Sequence, residues 1–375
     1  MTQRQLILIG GGHAHLQVLA ELARRPINGW QVSLVSPSRR QIYSGMLPGW
    51  IAGHYRLEAC SIQLANLAAR AGVTFHETAV IELDADSRHA RCADGRLLHF
   101  DRLSIDTGPV AALAAVAGAA THALPVRPIE GFVAAWPALV DRILSRCARF
   151  ELAIIGAGAA GVELAFAIRQ RAWRDGWSHL RISLLGSGSL PLDGLPTSAQ
   201  RRAEALLRQH GIRWIGESRV IEICPDHVRL DGGGSLPVDA AMMVTGAAAP
   251  EWPARAGLST DARGFIRVGP SLQSRSHPDV CAAGDVACYS SERPKSGVFA
   301  VRAGPVLAQN LRALCEGRAP RGWEPQRRAL YLISTGNRQA IASWGGFSSW
   351  GRWTWRWKDH IDRRFVARLN DKDLA

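Results

Sequence analysis

The chain has no long apolar run, little lysine and no paired cysteines, and each shortage narrows what it can be. No uninterrupted hydrophobic stretch reaches bilayer-spanning length, and Ala111 to Ala120 is apolar but too short and too rich in Ala and Gly. The amino terminus enters the apolar run Leu6-Ile7-Leu8-Ile9 almost at once, which leaves no room for a secretory signal, so a cytoplasmic location is expected. Seven cysteines, at 60, 92, 147, 224, 281, 288 and 315, are scattered and odd in number, with no Cys-x-x-Cys pair. That argues against a disulfide framework and fits a reducing compartment, and no metal site is expected. The net charge of +13 comes almost wholly from arginine. That arginine bias is either a reflection of genome composition or functional. With no nucleic-acid-binding pattern in the chain, the anionic partners a functional charge would imply are cofactor phosphates or a membrane surface, and nucleic acid is not an expected partner.

What is present is a plan used twice. Leu6-Ile7-Leu8-Ile9-Gly10-Gly11-Gly12-His13-Ala14-His15 reads as a short strand, a glycine-rich turn and the start of a helix that Pro26 helps to stop. Leu152-Ala153-Ile154-Ile155-Gly156-Ala157-Gly158-Ala159-Ala160-Gly161 repeats that pattern before Val162-Glu163-Leu164-Ala165. Each is followed by a further strand, Val32 to Val35 and Ile182 to Leu185. Residues 78 to 102 and 218 to 240 then alternate apolar and polar around Asp94-Gly95 and Asp231-Gly232-Gly233, as hairpins do. Each repeat ends in a short strand and a Thr-Gly step, Thr107-Gly108 and Thr245-Gly246. Two β-α-β units in one chain of 375 residues point to two dinucleotide sites. The physical reason is that unpaired N–H groups at the helix start, at the positive end of its dipole, receive a pyrophosphate that glycines let approach.

A third element completes the pattern. Gly264-Phe265-Ile266-Arg267-Val268 is followed by His277-Pro278-Asp279-Val280-Cys281-Ala282-Ala283-Gly284-Asp285. Together these motifs resemble the pyridine nucleotide-disulfide oxidoreductase superfamily over about residues 5 to 320. Gly11 to His15, Tyr43-Ser44-Gly45-Met46-Leu47-Pro48-Gly49 and Pro294 to Pro305 are most similar to its type II NADH dehydrogenase-like branch, which also occurs fused to selenide, water dikinase. The resemblance implies an α/β fold of two Rossmann-like dinucleotide-binding domains, with an NAD(P) domain inserted into an FAD domain, plus a small C-terminal region. The expected boundaries are 1–112 and 247–322 for the FAD domain, 113–246 for the NAD(P)H domain and 323–375 for a C-terminal region rich in Trp and Arg. It further implies an enzyme in which NAD(P)H reduces FAD by hydride transfer and FAD passes electrons to a small-molecule acceptor, with quinone a candidate.

By that resemblance the FAD contacts are Gly10, Gly11, Gly12, His13, Ala14, His15, Ser36, Pro37, Ser44, Gly45, Met46, Val80, Thr107, Gly108, Gly284, Asp285, Gly297, Val298 and Phe299. Asp285 would bind the ribityl chain, and Gly297 to Phe299 would lie beside the flavin pyrimidine. The NAD(P)H contacts are Gly156, Gly158, Ala159, Ala160, Gly161 and Gly246. Glu163 and Lys295 are the catalytic candidates, as a proton or nicotinamide contact and a charge near the flavin. For Glu163 the alternative is stabilisation of its helix, and for His13 and His15 it is packing or phosphate contact.

The chain also departs from the pattern. An acid usually ends the second strand of each unit, where it binds the ribose hydroxyls; here stand Ser36 and Gly186. No arginine directly follows Gly186, so neither NADH nor NADPH is favoured. No close cysteine pair faces the flavin segment, which speaks against dithiol chemistry. Two other functions stay open: a flavin-binding accessory protein of selenium metabolism without nicotinamide turnover, or a sulfide:quinone-type reductase using Cys288. In the C-terminal region Trp344, Trp350, Trp353, Trp355 and Trp357 are interleaved with Arg352, Arg356 and Lys358, and the spacing of two among the last three tryptophans predicts an extended segment. Peripheral membrane contact at the inner face of the plasma membrane, packing onto the flavin domain and a homodimer contact are its alternative uses.

Overall fold

The computed structural model describes residues 3–291 and 293–371. The first unit runs β1 (Arg4–Ile9), α1 (His13–Arg24), β2 (Trp30–Ser36), β3 (Thr74–Glu77) and β4 (Arg102–Ile105). The second runs β5 (Ala123–Pro125), α2 (Ile129–Leu144), β6 (Phe150–Ile155), α3 (Ala159–Asp175), β7 (Leu180–Leu185), β8 (Ile212–Ile215) and β9 (Ala240–Met243). The chain then returns through β10 (Val280–Ala282) and α4 (Gly297–Cys315). It closes with β11 (Leu330–Ser334), β12 (Ala340–Trp344), β13 (Phe347–Gly351) and α5 (Arg352–Asn370).

Two five-stranded parallel sheets result, in the orders β10-β4-β1-β2-β3 and β5-β9-β6-β7-β8. Strands covered on both faces need continuous apolar runs, and Leu6 to Ile9 and Leu152 to Ile155 are buried throughout. In each sheet the glycine-turn strand lies between its second strand and the strand that ends in the Thr-Gly step. That is the switch point at which open α/β sheets bind ligands. The alternating stretches form three-stranded antiparallel meanders, 80–84 with 89–92 and 97–99, and 220–223 with 227–230 and 235–237. Where the chain crosses into the second unit and back, residues 110–111 and 247–248 pair antiparallel.

Helix α4 returns to pack on α1. Gly304 makes the close approach feasible, because a Cβ there would stand 2.7 Å from the Gln17 Cβ and 3.1 Å from the Ala14 carbonyl oxygen.

The C-terminal region corrects the expectation of an extended Trp segment. Residues 352–370 are helical, and Trp353 and Trp357, four residues apart, stack at 6.3 Å and 14°. The alternation across residues 350–357 spans the strand-to-helix junction. Beyond it the buried positions Lys358, Asp362, Val366 and Leu369 recur every three or four residues, and that period sets the element. One face of α5 packs on the first unit: Asn370 Nδ2 donates to the Ser61 carbonyl at 2.8 Å, and Arg368 donates to Gln17 Oε1 at 2.7 Å. The other face exposes Trp353, Trp357 and Ile361. Among the described residues no helix is long and apolar enough to cross a membrane, and no cluster of metal-ligating side chains occurs.

Candidate active site

The first glycine turn is built on close backbone approach. Gly10 has φ +93°, and a Cβ on it or on Gly12 would run into Asp106. Helix α1 begins at His13 with Gly12 as its cap. Where the usual third glycine is absent, His15 is fully buried, with Nδ1 2.6 Å from the Gly10 carbonyl oxygen and Nε2 2.8 Å from Ser104 Oγ. Burial lowers its pKa to about 4, so the ring is neutral and ties the turn to β4. The Asp106 carboxylate accepts from the Ala14 and His15 N–H groups at 2.7 and 3.0 Å. Burial raises its pKa to about 7, against the pull of those two bonds. Sequence reasoning missed Asp106. Its only signal was an acid directly before the Thr107-Gly108 step.

His13, Ser44 and Gly297 converge. A Cβ on Gly297, the first residue of α4, would lie 3.7 Å from the His13 ring and 3.8 Å from Ser44 Oγ. His13 Nε2 is buried without a hydrogen-bond partner, and burial lowers the ring's pKa to about 4, helped by Arg127. Asp285 is buried beside them; burial raises its pKa while Arg127 and Lys295 pull it down. Arg127, from the loop after β5 in the second unit, reaches across to Asp285 at 3.4 Å. This contact between the units was not legible in the sequence.

The remaining expected contacts are distributed around this centre. Ser36 is buried at the end of β2, with its hydroxyl 3.3 Å from the Ser38 carbonyl oxygen, and Pro37 beside it is exposed. Arg39 is engaged by Glu77 at 2.9 Å. Val80 opens the first meander, Gly11 packs against Leu64, and Gly108 and Gly284 have positive φ. Met46 is fully buried, and Phe299, in the first turn of α4 next to Val298, is nearly so.

At the second turn Gly156 has φ +113°, and its Cβ would stand 2.8 Å from the Thr245 nitrogen. A Cβ on Gly161 would strike the Gly156 carbonyl oxygen, so the third glycine is needed here. Gly158, Ala159 and Ala160 form the open start of α3, opposite Thr245 and Gly246, and Thr245 Oγ1 is buried without a partner.

The two catalytic candidates lie in different clusters. Lys295 donates to the Ala287 carbonyl at 2.6 Å and sits 3.7 Å over the Phe265 ring, with its pKa lowered by burial. Glu163 sits where the first unit, the second unit and α5 meet. Its Oε1 accepts from the Ser334 N–H at 2.8 Å and lies 4.0 Å from Lys358 Nζ. Lys358 donates to the Gly45 carbonyl at 2.6 Å and to Asp362 Oδ2 at 2.8 Å. Burial raises the Glu163 pKa to about 7 even though Lys358 and the Ser334 bond oppose it. Burial opposes the Lys358 charge, but Asp362 and Glu163 outweigh it, so the ammonium stays charged. Tyr43, its pKa raised by burial and by Asp362, packs tilted against Phe365 of α5 at 4.8 Å and meets the His13 ring edge-on at 5.4 Å between centroids. A file of polar groups thus runs from His13 through Tyr43, Asp362 and Lys358 to Glu163.

Lys358, Asp362 and Tyr43 were not among the expected site residues. One signal for Lys358 existed: the chain has only three lysines, at 295, 358 and 372, among 45 basic residues. Where arginine serves the surface, an isolated lysine marks an interior task. Lys372 lies outside the described residues.

All seven cysteines are unpaired. The Cys281 thiol is pushed up to about 12 by burial in β10. Cys288 is also raised, by burial and by Asp261, so neither favours the nucleophilic thiolate.

The comparisons agree with this geometry. Residues 4–304 match the family described as pyridine nucleotide-disulphide oxidoreductase. A demethylphylloquinone reductase, NdbB, of Synechocystis sp. is 24% identical over 294 residues, covering 76% of this chain and 72% of that protein. The structure of NDH2 from Plasmodium falciparum in complex with NADH superposes with a TM-score of 0.83 at 13% identity, covering 98% of both chains. The sulfide:quinone oxidoreductase of Aquifex aeolicus superposes with a TM-score of 0.82 at 18% identity, covering 98% of this chain and 91% of that one. Members of the matched family bind FAD and NAD(P)H. The chain belongs to the pyridine nucleotide-disulphide oxidoreductase family and is an FAD-dependent NAD(P)H oxidoreductase.

Proposed function

We propose that the chain passes electrons from NAD(P)H through FAD to a quinone, and that Glu163 and Lys358 serve the acceptor's protons. One observation carries this reading: a carboxyl with a pKa of about 7 meets a buried ammonium and the Ser44–Met46 segment where three parts of the chain join. A two-electron, two-proton acceptor needs proton donors held out of water near neutral pH, and this junction supplies them.

Gly10 to Ala14, Ser36, Ser44 to Met46, Asp285 and Gly297 to Phe299 would hold FAD. The missing Cβ atoms, the buried unpartnered His13 Nε2 and the α4 start fit such a group. Bound there, the flavin supplies hydride acceptance and electron release. Gly156 to Gly161, with Thr245 and Gly246, would bind the NAD(P)H pyrophosphate at the α3 start. Asp285, with Arg127 and Lys295 as counter-charges, would fix the flavin's polyol side, and α4's unpaired N–H groups would stabilise negative charge on its pyrimidine. Glu163, protonated below about pH 7, would deliver a proton from its carboxyl, and the Lys358 ammonium would stabilise the carboxylate left behind.

The exposed face of α5 supports docking on a membrane, where a lipid-soluble quinone resides. Trp353, Trp357 and Ile361 are flanked by Arg352 and Arg356, a combination suited to an anionic headgroup layer. The reading is tested by reducing the FAD-loaded protein anaerobically with NADH or NADPH and then adding a short-chain quinone. Flavin reoxidation that takes up protons and slows above about pH 7 supports it. Reoxidation that is indifferent to pH, or that needs a one-electron oxidant, overturns it.

A further inference from the structure

The second strand of the second unit ends in Gly186, where a carboxylate usually distinguishes the ribose 2′-hydroxyl from a 2′-phosphate. The structure supplies a reason for the glycine. A Cβ at Gly186 would stand 2.8 Å from Trp214 Cη2 and 2.8 Å from the Ala157 Cβ. Gly216, two residues beyond the tryptophan, is held to glycine as well, with its Cβ position 2.9 Å from Trp214 Cζ2 and 2.8 Å from the Gly188 carbonyl oxygen. The half-exposed ring therefore fills the space that a side chain at Gly186 would need.

The arrangement is fixed on every side. Trp214 Nε1 donates to the Ser189 carbonyl at 3.3 Å. Gly186 N–H donates to the Ile215 carbonyl at 3.0 Å, Ser218 N–H to the Gly186 carbonyl at 3.1 Å, and Glu217 N–H to the Gly188 carbonyl at 2.9 Å. The loop 186–190 is thus laced to residues 214–218 with the indole between them. It carries Gly, Ser, Gly, Ser and Leu, with neither an acid nor a base.

We propose that Trp214 is a specificity-determining residue of the donor site: an uncharged aromatic surface replaces the ribose-reading acid, so that the site takes NADH and NADPH alike. An acid in this position attracts the hydroxyl and repels the phosphate, and an arginine does the reverse. An indole contributes stacking and dispersion to the adenosine end and has no preference at the 2′ position. The inference rests on the donor site described under Proposed function.

The test measures binding rather than turnover. FAD-loaded protein is titrated calorimetrically with ADP-ribose and with 2′-phospho-ADP-ribose at one fixed ionic strength. The two dissociation constants of the unmodified protein are expected to agree within about threefold. Trp214→Ala should weaken both by about tenfold, and Trp214→Phe should recover most of that loss. Gly186→Asp alone should weaken both ligands, because the side chain has no room. The double variant Gly186→Asp/Trp214→Ala should bind ADP-ribose about tenfold or more tighter than the 2′-phosphorylated ligand.

An unmodified protein that separates the two ligands by more than about tenfold overturns the proposal, and a preference for ADP-ribose would mean that another acid, such as Glu217, reads the ribose. A Trp214→Ala variant with unchanged binding of both, or a Gly186→Asp variant that already selects ADP-ribose, overturns it too. Failure of the unmodified protein to bind either ligand removes the donor site itself, and with it the broader functional reading.

Discussion

Replacing Lys358 with methionine keeps most of the side chain's volume and removes its charge. The variant loses the bonds to the Gly45 carbonyl at 2.6 Å and to Asp362 at 2.8 Å, together with a cation 4.0 Å from Glu163. Two carboxyl groups are left in a buried site without a counter-ion. Removing one partner of a buried ion pair costs about 3–5 kcal/mol. Protonation relieves part of this cost, and the extent depends on pH. At pH 6 Glu163, with a pKa of about 7, already holds its proton in the unmodified protein, so the ammonium matters less. At pH 8 the unmodified protein pairs an ionised Glu163 with Lys358, whereas the variant must bury the charge alone or take up a proton. The loss should therefore be larger at pH 8 than at pH 6. Denaturant unfolding of the FAD-loaded proteins, followed by circular dichroism and flavin release, measures it. At pH 6, where Glu163 holds its proton, the double variant Lys358→Met/Asp362→Leu should regain most of the stability, because apolar packing replaces the Lys358–Asp362 pair instead of half of it. A single variant within about 1 kcal/mol of the unmodified protein at both pH values would refute the reasoning.

Glu163→Gln should slow quinone-dependent reoxidation at pH 6 by about a hundredfold and flatten its pH profile, while the unmodified rate falls above about pH 7. The same variant tests linkage. A carboxyl raised from 4.5 to about 7 binds more protons folded than unfolded in that window. Stability therefore declines as pH rises from 4.5 to 7, by at most about 1.4 kcal/mol per pH unit for this group, and the glutamine variant should lose that share of the slope in pH-dependent unfolding. Gly161→Ala, whose Cβ would strike the Gly156 carbonyl oxygen, should abolish ADP-ribose binding while flavin remains bound, as calorimetry and absorbance would record. Arg127→Ala removes the guanidinium 3.4 Å from Asp285, and the flavin midpoint potential should fall in potentiometric titration because a cation near reduced flavin is lost.

The legible part of this protein was its local part. Gly10, Gly156 and Gly161 fall in contiguous glycine-rich runs and were legible from that spacing. The crowding at Gly161 is local, against the Gly156 carbonyl oxygen, whereas Gly10 and Gly156 are crowded by the distant backbone at Asp106-Thr107 and Val244-Thr245. Asp285 was legible for a similar reason, as the end of a contiguous motif. What the sequence concealed was brought together by tertiary structure. Arg127 reaches Asp285 across 158 positions, and Lys358 reaches Gly45 across 313. Asp106 receives the Ala14 and His15 N–H groups from more than 90 positions away, and the chain offers only its place before the Thr107-Gly108 step as a hint of that task. The Trp353-Trp355-Trp357 spacing misled because the window lies in the first turns of a helix whose buried positions, Thr354, Lys358, Asp362, Val366 and Leu369, are not tryptophan and extend well beyond it. Gly186 was visible as a departure, but its cause, the Trp214 indole, lies on the neighbouring strand.

The central claim is electron transfer from a nicotinamide to a flavin and on to a proton-requiring acceptor at the Glu163–Lys358 junction. Its most direct test is anaerobic mixing of the FAD-loaded protein with NADH and, separately, NADPH, with flavin absorbance followed before and after addition of a short-chain quinone. The expected result is bleaching by both donors and recovery with quinone that slows as pH rises past about 7. A flavin that dithionite reduces but neither nucleotide bleaches would contradict the account.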